Sequence, residues 1–232
     1  MDNRDERLVR ELLRDPRGFD SKGKAHELLQ EYFQGKSLET LRPLLKHDNA
    51  HVRRSAAFIV SELGKTASCL IYDIAPLVSD SDTHIQWYAI ESIMACTNVG
   101  NYEYFIVIVE ALDDPNSSIC RLAMRLAARA NIFQIEAAIR NIGRLRAHQK
   151  VHEQGLRAML EWEALSDAEI IALLNDHNDL LRKYGAMISN RRMTRSTTLI
   201  QLATQSEDEC MACFAKEALA NNDIPQRYWS HE

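Results

Sequence analysis

Eight glycines and five prolines are few for a chain of 232 residues. A sandwich or barrel uses such residues at every hairpin, so their scarcity points instead to helices joined by short turns. No stretch approaches the roughly 18 consecutive apolar residues of a membrane span, and the opening "MDNRDERLVRELLRD" lacks the apolar centre of a secretory signal. The expectation is a cytoplasmic protein with no membrane segment. The five cysteines, Cys69, Cys96, Cys120, Cys210 and Cys213, are odd in number and follow no framework spacing, as expected of reduced thiols. Only "CMAC" at Cys210 and Cys213 is a tight pair, and its neighbourhood lacks the two further ligands of a closed zinc site. A glycine-rich phosphate loop, a nucleophile elbow and a metalloprotease motif are all missing. The reading is of a protein that is not an enzyme and carries no cofactor or metal.

What the chain does contain is a repeat. Val52, Ile85, Ile119, Val151, Leu181 and Met211 recur at intervals of 33, 34, 32, 30 and 30 residues. Four residues after each stands Ala56, Ala89, Ala123, Gly155, Gly185 or Ala215. Positions i and i+4 share a helix face, so the small residue lets a neighbouring backbone come close. Upstream of most anchors lies another apolar-periodic stretch, such as "LETLRPLL", "IYDIAPLV" or "AEIIALL". Polar turns such as "KHDNAH", "SDSDTH" and "DDPNSS" separate the two and supply Asp, Asn and Ser suited to capping the second helix. In the paired carboxylates Asp80 with Asp82 and Asp113 with Asp114, capping is therefore the expected use. A helical hairpin of this kind cannot bury its apolar face alone and must stack on copies of itself.

In "LRPLLKHDNAHVRRSAAFIVSELG", Pro43 lies in the first helix, Asp48 in the turn, and Val52, Arg53 and Ala56 in the second. That segment resembles the HEAT-repeat family, including its short bacterial variants, and the likeness extends over about residues 38–220. The resemblance implies an all-α fold: a right-handed αα-superhelix, or solenoid, of about six hairpins. Residues 1–37 would form an N-terminal helical cap, and residues 38–232 a single continuous domain. The cap is expected to contain two amphipathic helices, "RDERLVRELLRD" and "GKAHELLQEYFQG", broken by "PRGFDSKG", while Tyr228 and Trp229 are expected to fold back over the last hairpin. One departure from the family is that the Arg53 position becomes Gln86, Cys120, His152, Arg182 and Ala212 in later hairpins. The Asp-to-Arg ladder linking adjacent units is thus expected to be incomplete.

Charge is unevenly divided. From Thr66 to Cys120 there are eight acids and no Lys or Arg, whereas from Ile119 to Arg157 eight basic residues stand against Glu136 and Glu153. One reading is the charge of any solvated face, with some arginines pairing across adjacent units; the other is a field of one sign that draws in a complementary partner. In a HEAT-like solenoid the second helices line a concave surface. Positions two and six after the anchors then place Arg54, Phe58, Trp87, Glu91, Arg121, Arg125, Arg157, Lys183 and Met187 on the groove. Arg, Trp and exposed apolar side chains are what binding hot spots favour. Arg129 is expected to reach toward the rim. The pairs His47 with His51 and His148 with His152 have chelating spacing but no third ligand, and are read as surface residues. "SNRRMTR", with Arg191, Arg192 and Arg195, is read as a solvated linker between hairpins, a phosphate grip being the alternative.

The reading that results is a non-catalytic protein-binding solenoid holding a macromolecular partner in its groove. By resemblance to small bacterial solenoids, the partner would be a toxin domain and the chain an immunity protein. The alternative is nucleic-acid binding, with base excision as its enzymatic form, since HEAT-like DNA glycosylases share this size. Arg121 to Arg157 supply the positive charge this would need, but the Trp-Trp-Asp type cluster of those enzymes is missing.

Overall fold

A computed structural model describes residues 4–97 and 100–221. The expected positions of Tyr228 and Trp229 lie outside the described residues. The fold is all-α, and the six expected hairpins are found among the described residues. The chain divides into two compact units, Met1–Asn101 and Tyr102–Glu232.

The first unit opens with α1 (Arg4–Arg14), α2 (Pro16–Ser21) and α3 (Lys24–Phe33). The expected break between two amphipathic helices is itself helical. Pro16 occupies the first turn of α2, where its missing N–H is of no consequence, and the Asp15 carboxylate accepts the Gly18 N–H at 3.0 Å. Leu8, Leu12, Phe19, Leu28 and Leu29 are buried, and α2 and α3 both pack against α5 (Ala50–Leu63).

The first rods of the first two hairpins are shorter than the pattern suggests. Residues 38–41 form a 3₁₀ turn leading into α4 (Arg42–Leu45), while α6 (Ile71–Ile74) runs into a 3₁₀ segment over 75–79. Pro43 and Pro76 stand at the starts of α4 and of the 75–79 segment, and neither can sit inside a longer helix without removing a hydrogen bond. The second rods, α5 and α7 (Thr83–Cys96), are full helices that pack on each other across the fully buried Ala56 and Ala89. Gly64 ends α5 with φ +55, a conformation that glycine adopts without strain.

Capping follows the sequence closely. Asn49 and Asp82 accept N–H groups at the starts of α5 and α7, and Asp80 accepts the Asp82 N–H at 3.0 Å. One rung of the expected ladder is present here: Arg53 grips both oxygens of Asp80, at 2.7 and 3.1 Å, and donates to the carbonyls of His47 and Asp48. In the second unit Arg182 repeats only part of it, donating to the Asp176 carbonyl at 2.8 Å.

That unit comprises α8 (Phe105–Glu110), α9 (Ser117–Ala127), α10 (Ile132–Arg140), α11 (Gln149–Leu160), α12 (Asp167–Leu174), α13 (Asp179–Arg191), α14 (Thr198–Ala203) and α15 (Glu209–Ala220). A simple stack would bring each hairpin against only its sequence neighbours. Here α9 also packs on α15, and α13 touches α9, α11, α12, α14 and α15. As a result α13 is buried nearly all round, from Leu180 to Arg191 with Arg182 as the exception.

Small residues mark the closest approaches. At Gly155 of α11 a Cβ would lie 2.1 Å from the ring of Tyr184 on α13, and at Gly185 it would lie 2.9 Å from the backbone nitrogen of Leu174. In α11 the inward positions are His152, Gly155, Leu156 and Met159, whereas the anchor Val151 is only half-buried. His152, read from the sequence as a surface residue, is therefore a core residue: it is 2% exposed, with Nδ1 3.0 Å from the Tyr184 hydroxyl.

Burial lowers the pKa of His152 to about 4; Asp113 opposes this shift, and His148 and Lys183 add to it. An unfolded imidazole binds its proton near 6.5. The stability contributed by neutral His152 is therefore complete above pH 6.5 and is lost as pH falls from 6.5 toward 4, by about 3 kcal/mol in total. Urea unfolding at pH 7.5 and 4.5 is expected to show this drop, and His152→Gln should shrink it. An equal drop in parent and variant would assign the acid sensitivity to other groups.

A cationic cleft where helices end

The residues expected on a groove are distributed over both units, and several are already engaged. In the first unit, Arg54 is ion-paired with Asp82 and lies 3.7 Å from Asp20. Phe58 packs between His26 and Tyr88, tilted against the first and edge-on to the second, with ring centroids 4.7 and 5.6 Å away. Trp87 and Glu91 are half-buried on α7.

In the second unit, Met187 is fully buried and Lys183 is 8% exposed, its Nζ donating to the Leu112 carbonyl at 2.9 Å. Neither can line a groove, because α9 and α15 cover the face of α13 that an open stack would leave bare. Arg157 is exposed and pairs with Glu153 one turn back at 2.6 Å.

The arginines of α9 face α15. Arg121 lies 3.4 Å from Glu217. Arg125 and Arg129 line a small cleft of about 260 Å³ with Phe214, Glu217, Ala218 and Asn221. Repulsion along one helix flank is thus relieved partly by a carboxylate contributed from three hairpins further on.

Arg129 also borders a second cleft of about 690 Å³, built where α9, α11 and α13 end. Ile132, Ile135, Met159 and Leu160 give it an apolar wall; Trp162, Glu161 and Glu163 come from the turn after α11; Arg191, Thr194 and Arg195 come from the end of α13 and beyond. Helix C-termini present carbonyl groups without intrahelical partners, which attract cationic donors.

The structure satisfies those carbonyls with the arginines of "SNRRMTR". Arg191 donates to the carbonyls of Ala127 and Ala130, at 3.3 and 2.7 Å, closing the end of α9. Burial lowers its pKa to about 10, so it stays charged near neutral pH. Arg192 donates to the carbonyls of Trp162, Glu163 and Leu165 and to the Asp167 carboxylate, holding the turn after α11 in place.

The solvated-linker reading fails for both residues, which are 6% and 8% exposed. Only Arg195 stands out in solvent, its guanidinium 5.5 Å from the centre of the Trp162 ring. Trp162 was not among the residues expected at a site. The available signal was the adjacent pair Arg191 and Arg192 at the end of a helical run, with Arg195 close behind.

Apart from the buried His152, the paired histidines lie near the surface beside turn and helix-end groups. His47 Nδ1 accepts the Asn49 N–H at 3.0 Å, and His148 Nε2 lies 3.3 Å from Asp113.

No family model matches the chain, and no curated protein matches it either. Among solved structures it is similar to an engineered protein at 17% identity and a TM-score of 0.40, covering 85% of this chain and 60% of that one. A second engineered protein matches at 17% identity and a TM-score of 0.38, over 80% of this chain and 96% of the other. A designed armadillo repeat protein matches at 15% identity and a TM-score of 0.36, over 79% and 99% of the respective chains.

Proposed function

We propose that the protein is a non-catalytic binding protein that holds another protein through the cleft at the ends of α9, α11 and α13. The observation that supports this reading is the composition of the cleft: Trp162 with Arg129, Arg191 and Arg195 beside Ile132, Ile135, Met159 and Leu160. Aromatic, Arg and aliphatic side chains in one concavity are what protein hot spots are made of. Arg195 over Trp162 presents a flat cation and an indole edge to the same ligand. The chemistry suits an acidic segment carrying an apolar side chain.

Protein is preferred to nucleic acid because half of the eight basic residues from Arg121 to Arg157 are paired with carboxylates in place. Arg121 faces Glu217, Arg140 faces Glu136, Arg146 faces Glu110 and Arg157 faces Glu153. A phosphate-backbone surface relies on cations free to replace condensed counterions, and these are already matched by carboxylates. The narrower reading, an immunity protein covering a toxin domain, would use the same cleft as the occluding surface. The Arg53–Asp80 rung supports a HEAT-type reading of the hairpins.

Tryptophan fluorescence provides the test. Titration with acidic peptides carrying one aromatic residue is expected to change the emission, and Trp162→Phe should remove that change. Arg129→Glu and Arg195→Glu should each weaken binding about ten-fold or more, with far-ultraviolet circular dichroism preserved. Trp87→Ala, on the first unit, examines the row read from the sequence, and unchanged affinity removes it from the surface. Tighter binding to a short DNA duplex that fades steeply with salt would overturn the proposal in favour of nucleic acid.

A further inference from the structure

We propose that Cys120 and Cys210 form an oxidisable dithiol whose disulfide joins α9 to α15. The two Sγ atoms lie 2.6 Å apart although the residues are 90 positions apart in sequence. Both side chains project into the contact between α9 and α15, so a bond needs only small side-chain rotations. Cys213 of "CMAC" is the cysteine nearest to Cys210 in sequence, yet it is Cys120 that Cys210 meets.

The surroundings favour reaction. Lys183 of α13 brings an ammonium beside the pair, fixed by its bond to the Leu112 carbonyl. The contact with Cys210 and this ammonium hold the Cys120 thiol below its ordinary pKa, against the opposing effect of burial. Cys210, the second residue of α15, is pushed the opposite way, above its ordinary pKa, by its contact with Cys120 and by burial, so Cys120 is the sulfur of the pair that ionises. Cys210 keeps 8% of its surface exposed, against 1% for Cys120, leaving a route for a small oxidant. Cys96 offers a contrast: it is fully buried, its thiol faces the Gly64 carbonyl at 3.9 Å, and burial pushes its pKa up to about 11.

The oxidant class is a peroxide. One thiolate attacks a peroxide oxygen; an S–O bond forms as the O–O bond breaks, and hydroxide departs to take up a thiol proton as water. The second sulfur then attacks the sulfenic sulfur, forming the S–S bond and expelling a second water. Two thiols and one hydrogen peroxide thus give one disulfide and two waters, with two electrons passing from sulfur to oxygen.

The bond would close a loop of about 90 residues and pin the helix that carries Phe214 and Glu217 against Arg125.

The experiment uses the full chain carrying Cys69→Ser, Cys96→Ala and Cys213→Ser, exposed to hydrogen peroxide. The expected product is lighter by two hydrogens, resists iodoacetamide, and yields a tryptic pair linking the peptides that contain Cys120 and Cys210. Its Tm should rise by roughly 5–10 °C and return on treatment with dithiothreitol. Adding Cys210→Ser should abolish that rise. Peptide mapping of the oxidised natural chain makes the test independent of how well the triple variant folds. The proposal is overturned if both thiols stay open to alkylation under peroxide that oxidises free glutathione, or if the mapped bond joins Cys210 to Cys213.

Discussion

Gly155→Ala is expected to destabilise the protein by about 2–3 kcal/mol, although alanine is the better helix former. In an exposed helix the exchange would stabilise by up to about 1 kcal/mol. Here the new methyl group would sit 2.1 to 2.5 Å from Cδ2, Cγ and Cε2 of Tyr184, a ring with no exposed surface. The near atoms belong to the body of the ring rather than to a flexible end, so relief requires α11 to move away from α13. Moving α11 would also strain the contact between His152 and the Tyr184 hydroxyl. Gly143→Ala is the matched control, since a Cβ there meets nothing within 4 Å. Urea midpoints should separate the two variants clearly, and equal midpoints would show that the α11–α13 approach is looser than described.

Arg192→Ala is expected to cost about 2–3 kcal/mol, because it removes a buried guanidinium together with every hydrogen bond it gives to the turn after α11. One guanidinium serves Trp162, Glu163 and Leu165 at once and adds the Asp167 carboxylate at 3.1 Å. Lysine cannot replace it, since a single ammonium does not span that fan of acceptors. The turn held by Arg192 carries Trp162, so the loss should disturb the cleft as well as the fold. Arg195→Ala is the complement. Its side chain is 54% exposed, so stability should change by less than about 0.5 kcal/mol while peptide affinity falls. Denaturation and fluorescence titration on the same two variants thus separate support of the cleft from contact with its ligand. Equal stability losses would refute the division.

Much of the fold was legible in the chain. The six small residues following the apolar anchors are all buried, and Asn49, Asp82, Asn116, Asn178 and Asp208 accept N–H groups at the helix starts. These features depend on contacts within a turn or two, so local spacing carries them. The helical turn at Pro16 and the shortened rods at Pro43 and Pro76 are also local: at Pro16 the proline starts a helix where a break is expected, and at Pro43 and Pro76 it limits rods that the apolar period alone would extend.

The site was much less legible. Lys183 and Met187 occupy the same repeat position as truly accessible residues do elsewhere, and nothing within α13 distinguishes them. What buries them is α15 meeting α9, a contact between segments some 90 residues apart. Similarly, the arginines after α13 look like a solvated charge run until the carbonyls of α9 and α11 arrive beside them.

By itself, then, the amino-acid order determined that the chain is helical, where most hairpins turn, and which faces are small enough to pack tightly. Which of those faces remain open was decided only by tertiary structure. Periodicity reports what a helix can bury, but the neighbour that covers it comes from a distant part of the chain. That is why Cys120 meets Cys210, and why the arginines of α9 look toward α15 rather than into an open groove.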